Sequence, residues 1–187
     1  MTDPLKTLEL HSTPAKALVD PAPDDKQLRL ILKTALSAPD HGRLHPYRFI
    51  SIRGEARQRL SEVFGEATLR RNPDEDPGYV AKQKDKPLRS PLIVVVVASP
   101  IDSPKIPQIE QILSAGAAAH NVLLAANALG FGSIWLNGAN AYDDYVKSEL
   151  GVAADEHIVG FIYLGTPSID IPPRPIPEVS THHTTWE

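Results

Sequence analysis

Two histidines four residues apart, His41 and His45, share a short stretch with Asp40, Arg43 and Arg48: Ala38-Pro39-Asp40-His41-Gly42-Arg43-Leu44-His45-Pro46-Tyr47-Arg48-Phe49. On a helix that spacing would turn both imidazoles toward one metal ion. Gly42, however, stands where a helical metalloprotease motif has its glutamate, and Pro46 opposes a regular helix. A metal site here would need a third ligand from elsewhere in the chain. The alternative chemistry is ligand contact: ring-bearing and cationic groups lie in a connection stiffened by Pro39 and Pro46, and such loops commonly carry binding residues. His120, inside an apolar helical stretch, reads as a packing histidine, and His182 and His183 as tail residues.

Other reactive chemistry is missing. The chain has 0 cysteines, which removes thiolate nucleophiles, Cys-ligated zinc and iron–sulfur clusters. A dinucleotide fingerprint should follow the strand at Leu92–Ala98, but Ser99-Pro100-Ile101-Asp102 stands there. Nor is there a phosphate-binding P-loop. Ser114 lacks the glycine of a nucleophile elbow, because Ile112 occupies that position. No acid–base dyad or triad is recognisable.

The elements that must position the histidine loop are clearer. Asp24 with Gln27 forms a capping-box pattern, and Leu28, Ile31, Leu32, Ala35 and Leu36 then recur at helical spacing until Pro39 stops the helix. Phe49 to Arg53 reads as a strand. Gly54 turns the chain into a helix with Leu60, Val63, Phe64 and Ala67 inward. Leu92 to Ala98 is a continuous β-branched run, hence a strand buried on both faces. Ile109 to Leu129 reads as an alanine-rich helix, apolar all round and so central to a core or an interface, with Gly130 ending it. Ser133–Leu136 and Val159–Leu164 read as strands, Tyr142–Leu150 as a short helix, and Leu5–Leu10 as another ending near His11-Ser12-Thr13-Pro14. Residues 72–91 are charged, proline-containing and weakly periodic, which suggests a mobile excursion. Residues 167–187 read as an extended Pro-rich tail.

At 187 residues the chain fits one domain, residues 1–187, or one half of an intertwined dimer. Strands separated by helices predict an α+β fold or three-layer sandwich. A net charge of -4 opposes nucleic-acid binding. No apolar run nears the ~20 residues of a membrane span, and the start lacks a signal-peptide pattern. A cytoplasmic protein with no membrane and no nucleic-acid partner is expected.

Several stretches together resemble the short-chain branch of the nitroreductase family, the minimal FMN-dependent NAD(P)H nitroreductases. They are Leu10-His11-Ser12-Thr13-Pro14, the histidine loop from Ala38 to Phe49, Pro91 to Val97, Ser114-Ala115-Gly116, Gly130-Phe131-Gly132-Ser133-Ile134-Trp135 and Gly160 to Thr166. The resemblance implies a nitroreductase-like sandwich with a central mixed sheet flanked by helices. It further implies an intertwined homodimer with two FMN sites shared between the chains. NAD(P)H would be the reductant in a ping-pong cycle, and nitro compounds, quinones or flavins the acceptors.

Carried over residue by residue, the resemblance places Leu10, His11 and Ser12 at the phosphate and ribityl chain, and Ser37 and His41 as contacts from the partner chain. Trp135, Leu136 and Asn137 would line the flavin. Leu10, Ser37 and Leu136 each stand where the family has or often has arginine. Lys16 and Arg43 are candidates to compensate at the phosphate. The substitutions leave two rivals open: a flavin site degenerated into a binding or regulatory homodimer, and an enzyme of this fold holding another cofactor. Residues 72–91 would cover part of the substrate slot.

Overall fold

Every residue of the strand formed by Leu92–Ala98 is buried, and its two faces serve two different cores. A computed structural model of the chain describes Leu8, residues 12–170 and residues 175–187. Leu10, His11 and, apart from Leu8, the short helix expected over residues 5–10 lie outside the described residues. So do residues 171–174 of the expected tail.

The described strands are β1 (Leu18–Val19), β2 (Tyr47–Arg53), β3 (Leu92–Ala98), β4 (Gly132–Leu136) and β5 (His157–Pro167); the helices are α1 (Asp25–Ala35), α2 (Glu55–Arg71), α3 (Pro77–Asp85), α4 (Gln108–Ala128) and α5 (Asp144–Glu149). Side chains alternate across a strand. Ile93, Val95 and Val97 therefore face Leu60, Phe64 and Ala67 of α2 and Val146 of α5. Leu92, Val94 and Val96 face Leu28, Ile31 and Ala35 of α1 and Ala119, Val122 and Ala126 of α4. A helix layer on each face of one sheet gives the α+β, three-layer sandwich. Full burial of each such valine or isoleucine contributes about 1.5–3 kcal/mol.

The sheet runs β2, β3, β5, β4, with β1 joined to the far end of β5. All four pairings are antiparallel, so the mixed character expected of the sheet is not visible within one copy. The β3–β5 register shifts between Val96, opposite Gly160, and Val97, opposite Ile158. Val159 is the extra residue of that bulge.

Local signals fix the helix ends. Asp24 Oδ1 accepts from the Gln27 amide at 2.7 Å and Gln27 Oε1 from the Asp24 amide at 2.9 Å, the reciprocal capping box. At the C-terminus of α4, Gly130 takes the left-handed φ of 84° that favours glycine there.

Residues 72–91, read from sequence as a weakly periodic excursion, instead contain α3. Asp76 caps it through the Tyr79 amide at 2.9 Å. Ser61 Oγ of α2 donates to the Lys84 carbonyl at 2.6 Å, and Lys84 Nζ meets Glu62 at 2.5 Å. The helix buries Gln83 alone, so there is no apolar stripe for periodicity to reveal. Its contact with α2 runs through the aliphatic stem of Lys84, which crosses Gly65 so closely that a methyl there would come within 2.8 Å of Lys84 Cγ.

Candidate functional site

The end of β4 carries the residues with the most distinctive surroundings. Trp135 lies across β5 because residue 160 has no side chain: a methyl on Gly160 would collide with the indole and stand 2.6 Å from Asn137 Oδ1. The bulge turns the Val159 carbonyl out of the ladder. Trp135 Nε1 donates to it at 3.3 Å and to Asn137 Oδ1 at 3.3 Å. The indole thus joins the strand end to the turn that follows it.

Beyond Trp135 the chain borders a cavity of about 230 Å³, lined by Leu136, Asn137 and Gly138 together with Phe64, Phe161 and Tyr163. Its polar lining comes from Lys86, Arg89 and Asn140. Burial, then repulsion from Arg89 and Arg71, pushes the Lys86 ammonium below the usual lysine range. Arg89 is anchored by Nε to Asp85 at 2.8 Å, and Lys16 stands 3.8 Å from the same carboxylate.

Asn140 is buried, only 5 % exposed. Its Oδ1 accepts from Arg71 Nη2 at 2.9 Å. Arg71 also pairs with Asp143, which caps α5 through the Val146 amide at 3.0 Å. The Nδ2 of Asn140 has no hydrogen-bond partner in the protein, an expensive condition for a buried donor.

The histidine loop forms a second, separate constellation. His41 Nδ1 lies 2.6 Å from Glu110 Oε2 in the first turn of α4, which ties the loop to that helix. Gly42 has a φ of 76°, while Arg43 and His45, at 56° and 49°, hold the left-handed region without being glycine. That conformation is sparsely populated for such residues. The buried carboxylate of Asp40 supports it by accepting from the His45 amide at 2.7 Å. Tyr47 closes the loop with its hydroxyl buried and unpartnered; burial, then the Asp40 charge, raises its pKa. Ser37 Oγ donates to the Thr34 carbonyl at 2.7 Å, so within one copy it caps α1.

The residues singled out from sequence therefore divide. Leu136 and Asn137 come together at one cavity, whereas Trp135, the preceding residue on β4, packs on the other face of the sheet, against the core shared by α1 and α4. Ser12 is half-buried beside β4, where its neighbour Thr13 donates to the Ser133 carbonyl at 3.0 Å. Lys16 reaches the rim cluster through Asp85. Ser37, His41 and Arg43 do not line the cavity. Sequence reasoning missed Lys86, Arg89, Asn140 and Gly160. Only Gly160 carried a signal, a glycine inside a strand pattern, which marks a bulge or a close approach.

This lining suits a flavin. Its lining combines the apolar side chains of Leu136, Phe64 and Phe161 with two cations, Lys86 and Arg89, and the amides of Asn137 and Asn140.

The model of the family described as "Nitroreductase family" matches residues 15–166. A protein named "Putative NAD(P)H nitroreductase YdjA" from Escherichia coli (strain K12) is 38% identical over 162 residues, covering 87% of each chain. Among solved structures, a nitroreductase-like family protein from Bacillus cereus superposes with a TM-score of 0.85 at 20% identity, over 100% of this chain and 97% of that one. A point mutant of the FMN and NADPH-dependent nitroreductase NfnB from "sphigopyxis sp. strain HMH" superposes with a TM-score of 0.77 at 19% identity, over 99% of each chain. At such identities the two structures speak for the fold.

Proposed function

The chain belongs to the nitroreductase family, and we propose that it is an FMN-dependent oxidoreductase that takes hydride from NAD(P)H and reduces small acceptors such as nitro compounds or quinones. The observation that carries this reading is the cavity at the end of β4, where Lys86, Arg89 and Asn140 present donors across apolar walls.

Bound FMN would supply the hydride chemistry, which explains the lack of an acid–base triad. The protein's part is to bind, orient and exclude water. Leu136 and Phe161 offer an apolar surface for the ring system. Lys86 and Arg89 set a positive potential in the cavity, and such charge-assisted contacts are about twice as strong as neutral ones. The rival of a regulatory homodimer with a degenerate site rests on missing cations at residues 10, 37 and 136. With two cations at the cavity by another route, the enzymatic reading is preferred.

The proposal includes a homodimer. Ile109 and Leu113 on α4, Leu30 and Leu36 on α1, and Ile176, Val179 and Trp186 in the tail are large exposed apolar side chains. The outer edge of β2 has no strand partner among the described residues. A second copy lying there would cover these surfaces, with Ser37 and His41 at the seam to meet its cofactor. Among the described residues no helix is long and apolar enough to cross a membrane. With a soluble dinucleotide as reductant, the proposal places the protein in the cytoplasm.

The test is direct. The purified chain should show flavin absorption bands or bind FMN on titration, and the loaded protein should oxidise NADH or NADPH with a nitroaromatic or quinone as acceptor. No FMN binding and no such turnover would overturn the reading. Within it, Lys86→Gln combined with Arg89→Gln should raise the FMN dissociation constant about tenfold or more, because each charge-assisted bond is worth about 1.5–3 kcal/mol. An unchanged constant would show that these cations do not hold the cofactor.

A further inference from the structure

We propose that Asn140 is a cofactor-reading residue, its side-chain amide donating to an acceptor atom on the edge of the flavin ring, with Arg71 and Asp143 as positioning residues behind it. This rests on the FMN reading above.

Arginine can only donate, so the 2.9 Å bond from Arg71 Nη2 must end on the oxygen of Asn140. The amide orientation follows, and Nδ2 is left as a buried donor with no partner in the protein. Arg71 is itself locked by Asp143, whose other oxygen caps α5. The amide is therefore held from behind by a charged chain, which is wasted if nothing stands in front of it. A donor left unpaired in this way carries its full desolvation penalty, and an acceptor on a ligand removes it.

The shape of the space says which part of the ligand enters. At about 230 Å³ the cavity falls below the ~300–1,000 Å³ of pockets that swallow a whole drug-sized ligand. It admits an edge rather than a complete cofactor. Leu136 and Phe161 give it apolar walls, which suit a planar ring and not a hydrated phosphate dianion. Lys86, Arg89 and Asn140 all offer donors. A flavin ring edge, with its carbonyl oxygens and ring nitrogens, supplies acceptors to match.

Asn140→Asp tests this with almost no change in volume. It keeps an oxygen for Arg71 and replaces the donor by a charged acceptor. Fluorescence titration with FMN and with riboflavin, which lacks the phosphate, should show both dissociation constants raised about tenfold or more, by the same factor. The midpoint potential of bound flavin should become more negative, because added negative charge disfavours the reduced form. Asn140→Leu should weaken both ligands in the same direction, and Asn140→Asp, which keeps the Arg71 bond, should leave the thermal midpoint of the flavin-free protein unchanged.

Unaltered constants in both variants would overturn the proposal. A loss confined to FMN would overturn it by moving the contact to the phosphate. Weakened binding in Asn140→Asp matched by a lowered midpoint of that flavin-free variant would overturn it in favour of a structural role. Failure of the unaltered chain to bind any flavin would overturn the functional reading as well, and so is distinguishable.

Discussion

Gly160→Ala is expected to lower the thermal midpoint by roughly 3–10 °C and to weaken flavin binding about tenfold or more. The added methyl would project into the Trp135 indole and to 2.6 Å of Asn137 Oδ1. Neither neighbour has a free path: Trp135 Nε1 is bonded to the Val159 carbonyl at the bulge, and Asn137 to the same indole nitrogen. Overpacking of this kind costs about 1–3 kcal/mol. Stability and binding should fall together, since Asn137, one of the two residues displaced, lines the cavity. Thermal melts with and without FMN check this, and a midpoint within about 1 °C of the parent with an unchanged dissociation constant would refute it.

Glu156→Gln should destabilise the protein by about 2 kcal/mol near pH 7, and the deficit should shrink as the solution is acidified. Arg48 clamps the carboxylate with Nε to Oε1 at 2.7 Å and Nη2 to Oε2 at 2.7 Å. The Ala153 amide donates to Oε2 at 2.9 Å, and Ser99 Oγ to Oε1. Arg48 also donates to the Gly151 carbonyl at 2.8 Å. One carboxylate thus joins β2, the end of β3 and the turn that feeds β5.

The Arg48 bonds, helped by Ser99 and Ala153 against the opposing effect of burial, hold the Glu156 pKa at about 2, down from 4.5. Because the folded value lies below the unfolded one, this stabilisation is fully present above pH 4.5 and is lost as pH falls from 4.5 through about 2. The full shift would be worth about 3 kcal/mol. Arg48 is 39% exposed, so solvent screening reduces that to about 2 kcal/mol. Urea unfolding of parent and variant at pH 7 and pH 3 measures it. A gap of equal size at both values would sink the assignment.

How far the sequence carried varies with the range of the interaction. The capping box of α1, the all-buried β3 and the stop of α4 at Gly130 were legible because each is encoded within a few residues. The stiff loop around His41 was legible for the same reason. Helix α3 was not: it makes its contacts through Lys84, Gln83 and backbone carbonyls, and a helix that docks by polar groups and aliphatic stems leaves no apolar period. Lys86 and Arg89 follow that helix and share its lack of a periodic signal. Proximity to the matching motifs in the chain nominates Lys16 and Arg43 as compensating cations. Only Lys16 reaches the rim of the cavity, and it does so through Asp85.

Sequence by itself determined the alternation that puts Ile93, Val95 and Val97 on one side and Leu92, Val94 and Val96 on the other, and with it the layering. It also showed no thiol, triad or nucleotide loop, and the family resemblance it carries implies that a bound flavin supplies the reaction chemistry. Tertiary structure alone decided that residues 86, 89 and 140 converge on the end of β4, that Asn140 keeps one donor unmatched, and that Trp135 crosses at Gly160. Such meetings depend on the register of β5 and the docking of α3 on α2. Those are contacts between segments far apart in the chain, and no local pattern records them.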